Sequence, residues 1–181
     1  GHHCYQPPEN APEIGPLPMT TNQVITFGCF NNLAKITPEV VDSWVSILQA
    51  VPRSRLLLKN LSGGSLASSS VRERYMSLFA SSVDPKRIVF KPRIPSHQAH
   101  CALYNEVDIA LDTFPFNGVT TTCEALWMGV PVVTWRGDRH SARLGASLLT
   151  RVGLADLVAP DINGYVETAV TLAGDLERLE R

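Results

Sequence analysis

The sequence predicts an α/β protein built on a doubly wound, Rossmann-like parallel sheet of about six strands, and two observations predict it. From Val24 onward, short apolar runs alternate with segments whose apolar residues fall at helical spacing. The runs themselves, such as Leu56-Leu57-Leu58 and Ile109-Ala110-Leu111, are apolar throughout rather than alternating. Strands of that kind are buried on both faces, as in a parallel sheet with helices on either side. Right-handed crossovers then bring every strand-to-helix loop to one sheet edge, where such folds bind ligands.

The elements follow in order. A strand over 24–30 precedes a helix over 38–51, with Thr37 as N-cap and Pro38 in the first turn. Val40, Val41, Trp44, Val45, Leu48 and Val51 give that helix its apolar stripe. A strand over 55–59, a Gly/Ser-rich loop over 62–70, a helix ending near Ser82 and a strand over 87–91 come next. Pro92 and Pro95 lead into a helix over 96–107, then a strand over 108–112. After a Pro/Asn/Gly turn a helix starts near Thr121, and Gly129-Val130-Pro131 opens a strand over 132–135. A helix over 137–152, a short strand over 157–159 and a helix over 162–173 complete the domain, which spans 24–181. Residues 1–23 carry Pro7, Pro8, Pro12, Pro16 and Pro18 without periodicity and read as an extended linker or docking arm.

Composition removes several function classes. With 181 residues, a net charge of −1 and 18% charged residues, the chain has no electrostatic case for binding nucleic acid. No apolar run approaches the roughly 20 residues of a membrane helix, and no signal-peptide pattern opens the sequence. Cys4, Cys29, Cys101 and Cys123 have no paired spacing and read as reduced thiols of a cytoplasmic protein. There is no Gly-x-Gly-x-x-Gly after the first strand, no phosphate loop ending in Gly-Lys-Ser/Thr and no Gly-x-Ser-x-Gly elbow. Dinucleotide oxidoreductases, P-loop ATPases and serine hydrolases are thereby disfavoured.

The positive signal is the turn Phe116-Asn117-Gly118-Val119-Thr120-Thr121-Thr122. It delivers backbone N–H groups and hydroxyls at the positive end of a helix, which favours phosphate or another anion. Glu124, one turn inside, could accept from sugar hydroxyls. A diphosphate next to a ribose satisfies both features, which points to a nucleotide or nucleotide sugar. At the same edge lie Asn31, Asn32 and Lys35 after the first strand, Asn60-Leu61-Ser62-Gly63-Gly64 after the second, and Arg93, His97 and His100 after the third. Arg136, Arg139, His140 and Arg143 follow the fifth. Lys35 could neutralise phosphate charge or remain a solvated loop lysine. His97 and His100 lack further ligands at metal-binding spacing, so no metal site is expected.

These residues resemble the C-terminal part of the catalytic region of the O-linked N-acetylglucosamine transferase family, including SPINDLY-like bacterial members with tetratricopeptide repeats. The resemblance rests on 25–36 (Ile-Thr-Phe-Gly-Cys-Phe-Asn-Asn-Leu-Ala-Lys-Ile), 54–59, 108–133 and 141–147, with Glu124-Ala125-Leu126-Trp127-Met128-Gly129-Val130-Pro131 shared more widely among two-domain glycosyltransferases. It implies the C-terminal, donor-binding half of a GT-B type enzyme that transfers a sugar from a UDP-sugar to protein Ser/Thr hydroxyls. It further implies that Lys35 stabilises the departing diphosphate, with Asn32 beside it, that His100 packs on the uridine, that Thr120 and Thr121 meet the phosphates, and that Glu124 holds the ribose; Asn117 and Gly118 of the same turn are counted among the donor-binding residues. Val119 and Glu124 stand where animal enzymes have histidine and aspartate. The implied partners are UDP or UDP-N-acetylglucosamine, a protein acceptor, and the N-terminal catalytic half and repeats of a longer parent, with no separate cofactor. The acceptor-side base would lie in that other half, so this chain alone is not expected to transfer sugar. A non-catalytic nucleotide-sugar sensor or docking module is the alternative, and a nucleotide-sugar epimerase of similar architecture lacks catalysts that can be placed.

Overall fold

A computed structural model describes residues 4–59, 69–79, 82–94 and 96–180. The loop Asn60-Leu61-Ser62-Gly63-Gly64 lies outside the described residues. Six strands form one parallel sheet: β1 Ile25–Cys29, β2 Ser54–Lys59, β3 Ile88–Lys91, β4 Ile109–Leu111, β5 Val132–Trp135 and β6 Val158–Ala159. Their order is β3-β2-β1-β4-β5-β6, so the chain winds outward to β3, returns to the far side of β1, and winds outward again. The reversal between β1 and β4 is the topological switch point of a doubly wound fold.

The apolar runs are strands because both faces are covered. Every residue of β1 and β4 is buried, and Leu56, Leu57 and Leu58 of β2 are at most 1% exposed. Gly28 is required where β1 passes Val107, since a Cβ there would lie 2.7 Å from both valine methyl groups. Helix α2 (Pro38–Ala50) is capped by Thr37, whose hydroxyl accepts from Val40 N, and it buries Val40, Val41, Trp44, Ile47 and Leu48. It packs on α7 (Ile162–Gly174) and α3 (Ser69–Phe79). Trp44 Nε1 donates to Tyr165 Oη at 3.2 Å, and that hydroxyl donates to the Asp112 carbonyl at 2.9 Å. The helix layer is thereby tied to the end of β4.

Two expected helices are interrupted. Over 96–107 the chain forms α4 (His97–Ala102) and then a tighter 3-10 turn, Leu103–Glu106, which closes with Val107 N donating to Tyr104 O before β4. Over 137–152 it forms a loop with a 3-10 turn at His140–Ala142, then α6 (Leu144–Arg151). Asn117 holds that loop: its N–H donates to Ser141 O, and its side-chain oxygen accepts from Gly145 N at 3.3 Å.

The proline-rich segment lies against the domain itself. It contains a short helix, α1 (Pro18–Asn22), and Leu17 is buried. Gly15 N donates to Asn105 Oδ1, and Asn105 Nδ2 donates to Glu13 O. Asp108 accepts from Met19 N through one oxygen and from Thr26 N through the other, pinning this segment beside the start of β1. No helix among the described residues is long and apolar enough to cross a membrane.

Candidate functional site

The site forms where the chain leaves β1 and β4, and Asp112 organises it. The residue is fully buried, and its Oδ1 accepts from Gly118 N at 2.6 Å, Thr113 N at 2.9 Å and Asn31 Nδ2 at 3.2 Å. Its Oδ2 accepts from Thr134 Oγ1 at 2.7 Å. Burial pushes the carboxyl up to about 6 against the pull of these donors. Asn31 passes the network across the switch point, because its Oδ1 accepts from Thr121 Oγ1 at 2.8 Å. Gly118 is obligatory between them, since an added Cβ would lie 2.8 Å from Asn31 Oδ1 and closer still to the Thr121 hydroxyl.

This scaffold aims α5 (Thr120–Trp127) at the mouth of the site. Val119, the residue before the helix, supplies no side-chain cap. Thr121 turns its hydroxyl to Asn31, Thr122 donates to Gly118 O at 3.1 Å, and Thr120 is exposed at the rim. The Thr121 carbonyl is fixed from behind by the Tyr104 hydroxyl at 3.0 Å. Facing this helix start, Lys35 Nζ donates to the Asn117 carbonyl at 2.9 Å and stands 4.4 Å from the centre of the Phe116 ring. Burial lowers the Lys35 pKa, with the Asp112 charge opposing. Asn32 is exposed, and its side chain caps the 3-10 turn that carries Lys35 by accepting from Ala34 N.

Further along α5, Glu124 is only 3% exposed and both its oxygens are engaged. Oε1 pairs with His97 Nε2 at 2.8 Å and Oε2 with His100 Nε2 at 2.9 Å. Burial would raise the Glu124 pKa, but the hydrogen bonds from His100 and His97 outweigh it and hold the carboxyl below its usual range. Behind His100 lies Lys59, the last residue of β2, whose Nζ meets His100 Nδ1. Tyr104 and Phe30 pack on the His100 ring at 5.7 and 5.8 Å between centroids. His97, Cys101 and Glu124 bring potential metal-ligand atoms within 4.8 Å of one another. The carboxylate is doubly hydrogen-bonded, however, and burial followed by the Glu124 charge pushes the Cys101 thiol up to about 11. His97 and Glu124 are joined by a hydrogen bond, and Cys101 stands beside them as a thiol.

The structure thus gathers Lys35, Asn117, Gly118 and Thr121 into one patch, with Thr120 at its rim and His100 and Glu124 one helical turn deeper. Asn32 serves as a cap, while its neighbour Asn31 makes the bridging contact. Sequence reasoning placed Asn31 at the binding edge but gave the site role to Asn32, and it did not single out Lys59 or Asp112 as site residues. Two adjacent asparagines look alike in sequence, and Lys59 reads as the end of a strand. His97 was visible three residues before His100. Arg136 and Arg143 instead line a separate open groove of about 600 Å³ with Ser147 and Arg151, beyond β5 and β6.

A parallel sheet in this order, with a cation facing an uncapped helix start at its switch point, is a Rossmann-type architecture, and its solved structural neighbours are two-domain GT-B glycosyltransferases. The chain belongs to glycosyl transferase family 41, whose profile matches residues 17–181. It is 47% identical over 177 residues to a probable UDP-N-acetylglucosamine–peptide N-acetylglucosaminyltransferase SPINDLY of Petunia hybrida, covering 97% of this chain and 19% of that protein. Among solved structures, an O-GlcNAc transferase mutant of Thermobaculum terrenum superimposes with a TM-score of 0.88 at 40% identity, covering 96% of this chain and 32% of that one. A trehalose 6-phosphate synthase of Burkholderia multivorans shares the fold alone, with a TM-score of 0.58 at 14% identity, covering 90% of this chain and 41% of that one. The chain therefore spans about a fifth of the length of the curated relatives it matches.

Proposed function

We propose that this chain is the donor-binding part of a protein O-glycosyltransferase, and that it holds the diphosphate of a UDP-sugar between Lys35 and the start of α5. The observation that carries this reading is the meeting of the Lys35 ammonium with the Asn117–Thr121 turn across the switch point. Amides of an uncapped first turn favour an anion from one side, and the ammonium does so from the other. Charge that develops on the departing diphosphate is met by a pre-placed cation, which makes Lys35 an electrostatic catalyst of leaving-group departure. In this reading Glu124 holds the ribose attached to that diphosphate, with His97 bonded to the same carboxylate, and His100 packs on the uridine.

N-acetylglucosamine is the proposed donor sugar and a peptide hydroxyl the proposed acceptor, supported by the activity named for the Petunia relative. The base that deprotonates the acceptor belongs, in this reading, to the part of the parent enzyme that closes over the site. Calorimetric titration of the chain with UDP tests the binding step: saturable heat is expected, and its absence would overturn the reading. Binding by a full-length parent that transfers no radiolabelled sugar would instead make the protein a nucleotide-sugar sensor.

A further inference from the structure

Lys59 is the charged residue of the cluster that the proposed reaction does not use. It ends β2 with 1% of its surface exposed, and its Nζ lies 5.8 Å from the centre of the Phe30 ring. A charge so placed is expensive, and an unbranched apolar side chain would fill the same space without that penalty. What the ammonium contributes is direction. It has three donors and no acceptor, so its bond to His100 Nδ1 requires that nitrogen to be unprotonated. The His100 proton then sits on Nε2, where it is donated to Glu124 Oε2 at 2.9 Å. With the opposite tautomer, an imidazole lone pair would face a carboxylate lone pair in a buried setting.

We propose that Lys59 is a positioning residue of the donor site, whose buried ammonium locks His100 as the Nε2–H tautomer and thereby holds Glu124 as an oriented acceptor for the donor nucleoside. The cation never touches the donor; it acts through the His100 ring. Three contacts that span 24 to 41 positions form one relay: Lys59 to His100, His100 to Glu124, and His97 to the remaining Glu124 oxygen. The groups facing the Lys59 ammonium are His100 and Cys101 on α4, Glu124 on α5 and Arg93 after β3. Burial first, and then Arg93, push its pKa down to about 8, while Glu124 and Cys101 act to raise it.

The binding part of this proposal rests on the UDP-sugar reading above; the tautomer part does not. Two-bond proton–nitrogen NMR of the His100 imidazole should show the Nε2–H form in the wild-type chain at pH 7. Lys59→Met should leave His100 Nδ1 without a donor, so that the Nε2–H form gives way to a doubly protonated ring beside Glu124, and weaken UDP binding about tenfold, while Lys59→Arg keeps the Nε2–H form and restores most of the affinity. A wild-type Nδ1–H form, or a Lys59→Met chain with unchanged tautomer and affinity, overturns the proposal. If the wild-type chain binds no UDP, the functional reading fails, and the NMR result still decides whether Lys59 sets the tautomer. If Lys59→Met does not fold, Lys59→Arg supplies the answer: retention of the Nε2–H form with most of the UDP affinity supports the proposal, and an Nδ1–H form with wild-type affinity overturns it.

Discussion

Lys35 and Asn117 are 82 positions apart in sequence, yet Lys35 Nζ donates to the Asn117 carbonyl at 2.9 Å. The bond crosses the switch point between β1 and β4 and sets the only lysine of the β1 exit loop against the turn that opens α5. The proposed diphosphate site depends on that closure.

Lys35→Ala is expected to lower turnover of a full-length parent by roughly 10²- to 10³-fold, as loss of one pre-placed electrostatic donor does elsewhere. Lys35 is partly exposed, so cooperative unfolding should survive the change. Radiolabelled sugar transfer and thermal denaturation on the same preparation check both halves, and unchanged turnover removes Lys35 from the mechanism.

Gly118→Ala adds one methyl group where Thr121 Oγ1 and Asn31 Oδ1 already crowd the backbone. The expected loss of stability is about 1–3 kcal/mol, with weaker UDP binding because the Asn31–Thr121 bond must open. Urea denaturation and calorimetry measure the two effects separately.

Asp112 makes stability depend on pH. Its folded pKa, pushed up to about 6 by burial, exceeds its ordinary value of 3.8, so the folded state holds the proton more tightly. Its contribution is fully present below about pH 4 and is lost as pH rises through about 6. The loss is on the order of 3 kcal/mol for a shift of this size. Wild type measured against Asp112→Asn by urea denaturation should show its relative advantage shrinking between about pH 4 and pH 6; a flat difference contradicts the burial argument.

Glu124 behaves in the opposite sense. Its folded pKa lies below the ordinary 4.5 despite burial, because His100 and His97 stabilise the carboxylate. That contribution is present above about pH 4.5 and is lost as pH falls through the lower folded value. His97→Ala, at a side chain 49% exposed, should raise the Glu124 pKa as read by carbon NMR, with only a small change in stability at pH 7. UDP affinity should fall several-fold.

The sheet was legible in the sequence to within a residue or two at most strand ends, because a strand covered on both faces must be apolar throughout. Helix α2 was equally plain, since Thr37 and Pro38 mark its start and its apolar stripe has the helical period. The turn at Phe116–Thr122 announced itself by composition. Less readable were the two broken helices. The loop before α6 is held open by Asn117, a residue 24 positions before Ser141 that no local pattern connects to it.

Local sequence by itself determined which segments are strands, which are helices, and that their loops would share one edge of the sheet. Burial and backbone propensity act over a few residues, so they leave a periodic record in the chain. Only the tertiary structure decided that Asn31 rather than Asn32 bridges Asp112 and Thr121, and that Lys59 stands behind His100. Those pairings join residues 41 to 90 positions apart. They follow from strand order and from the direction in which each strand ends, and neither leaves a local pattern in the chain.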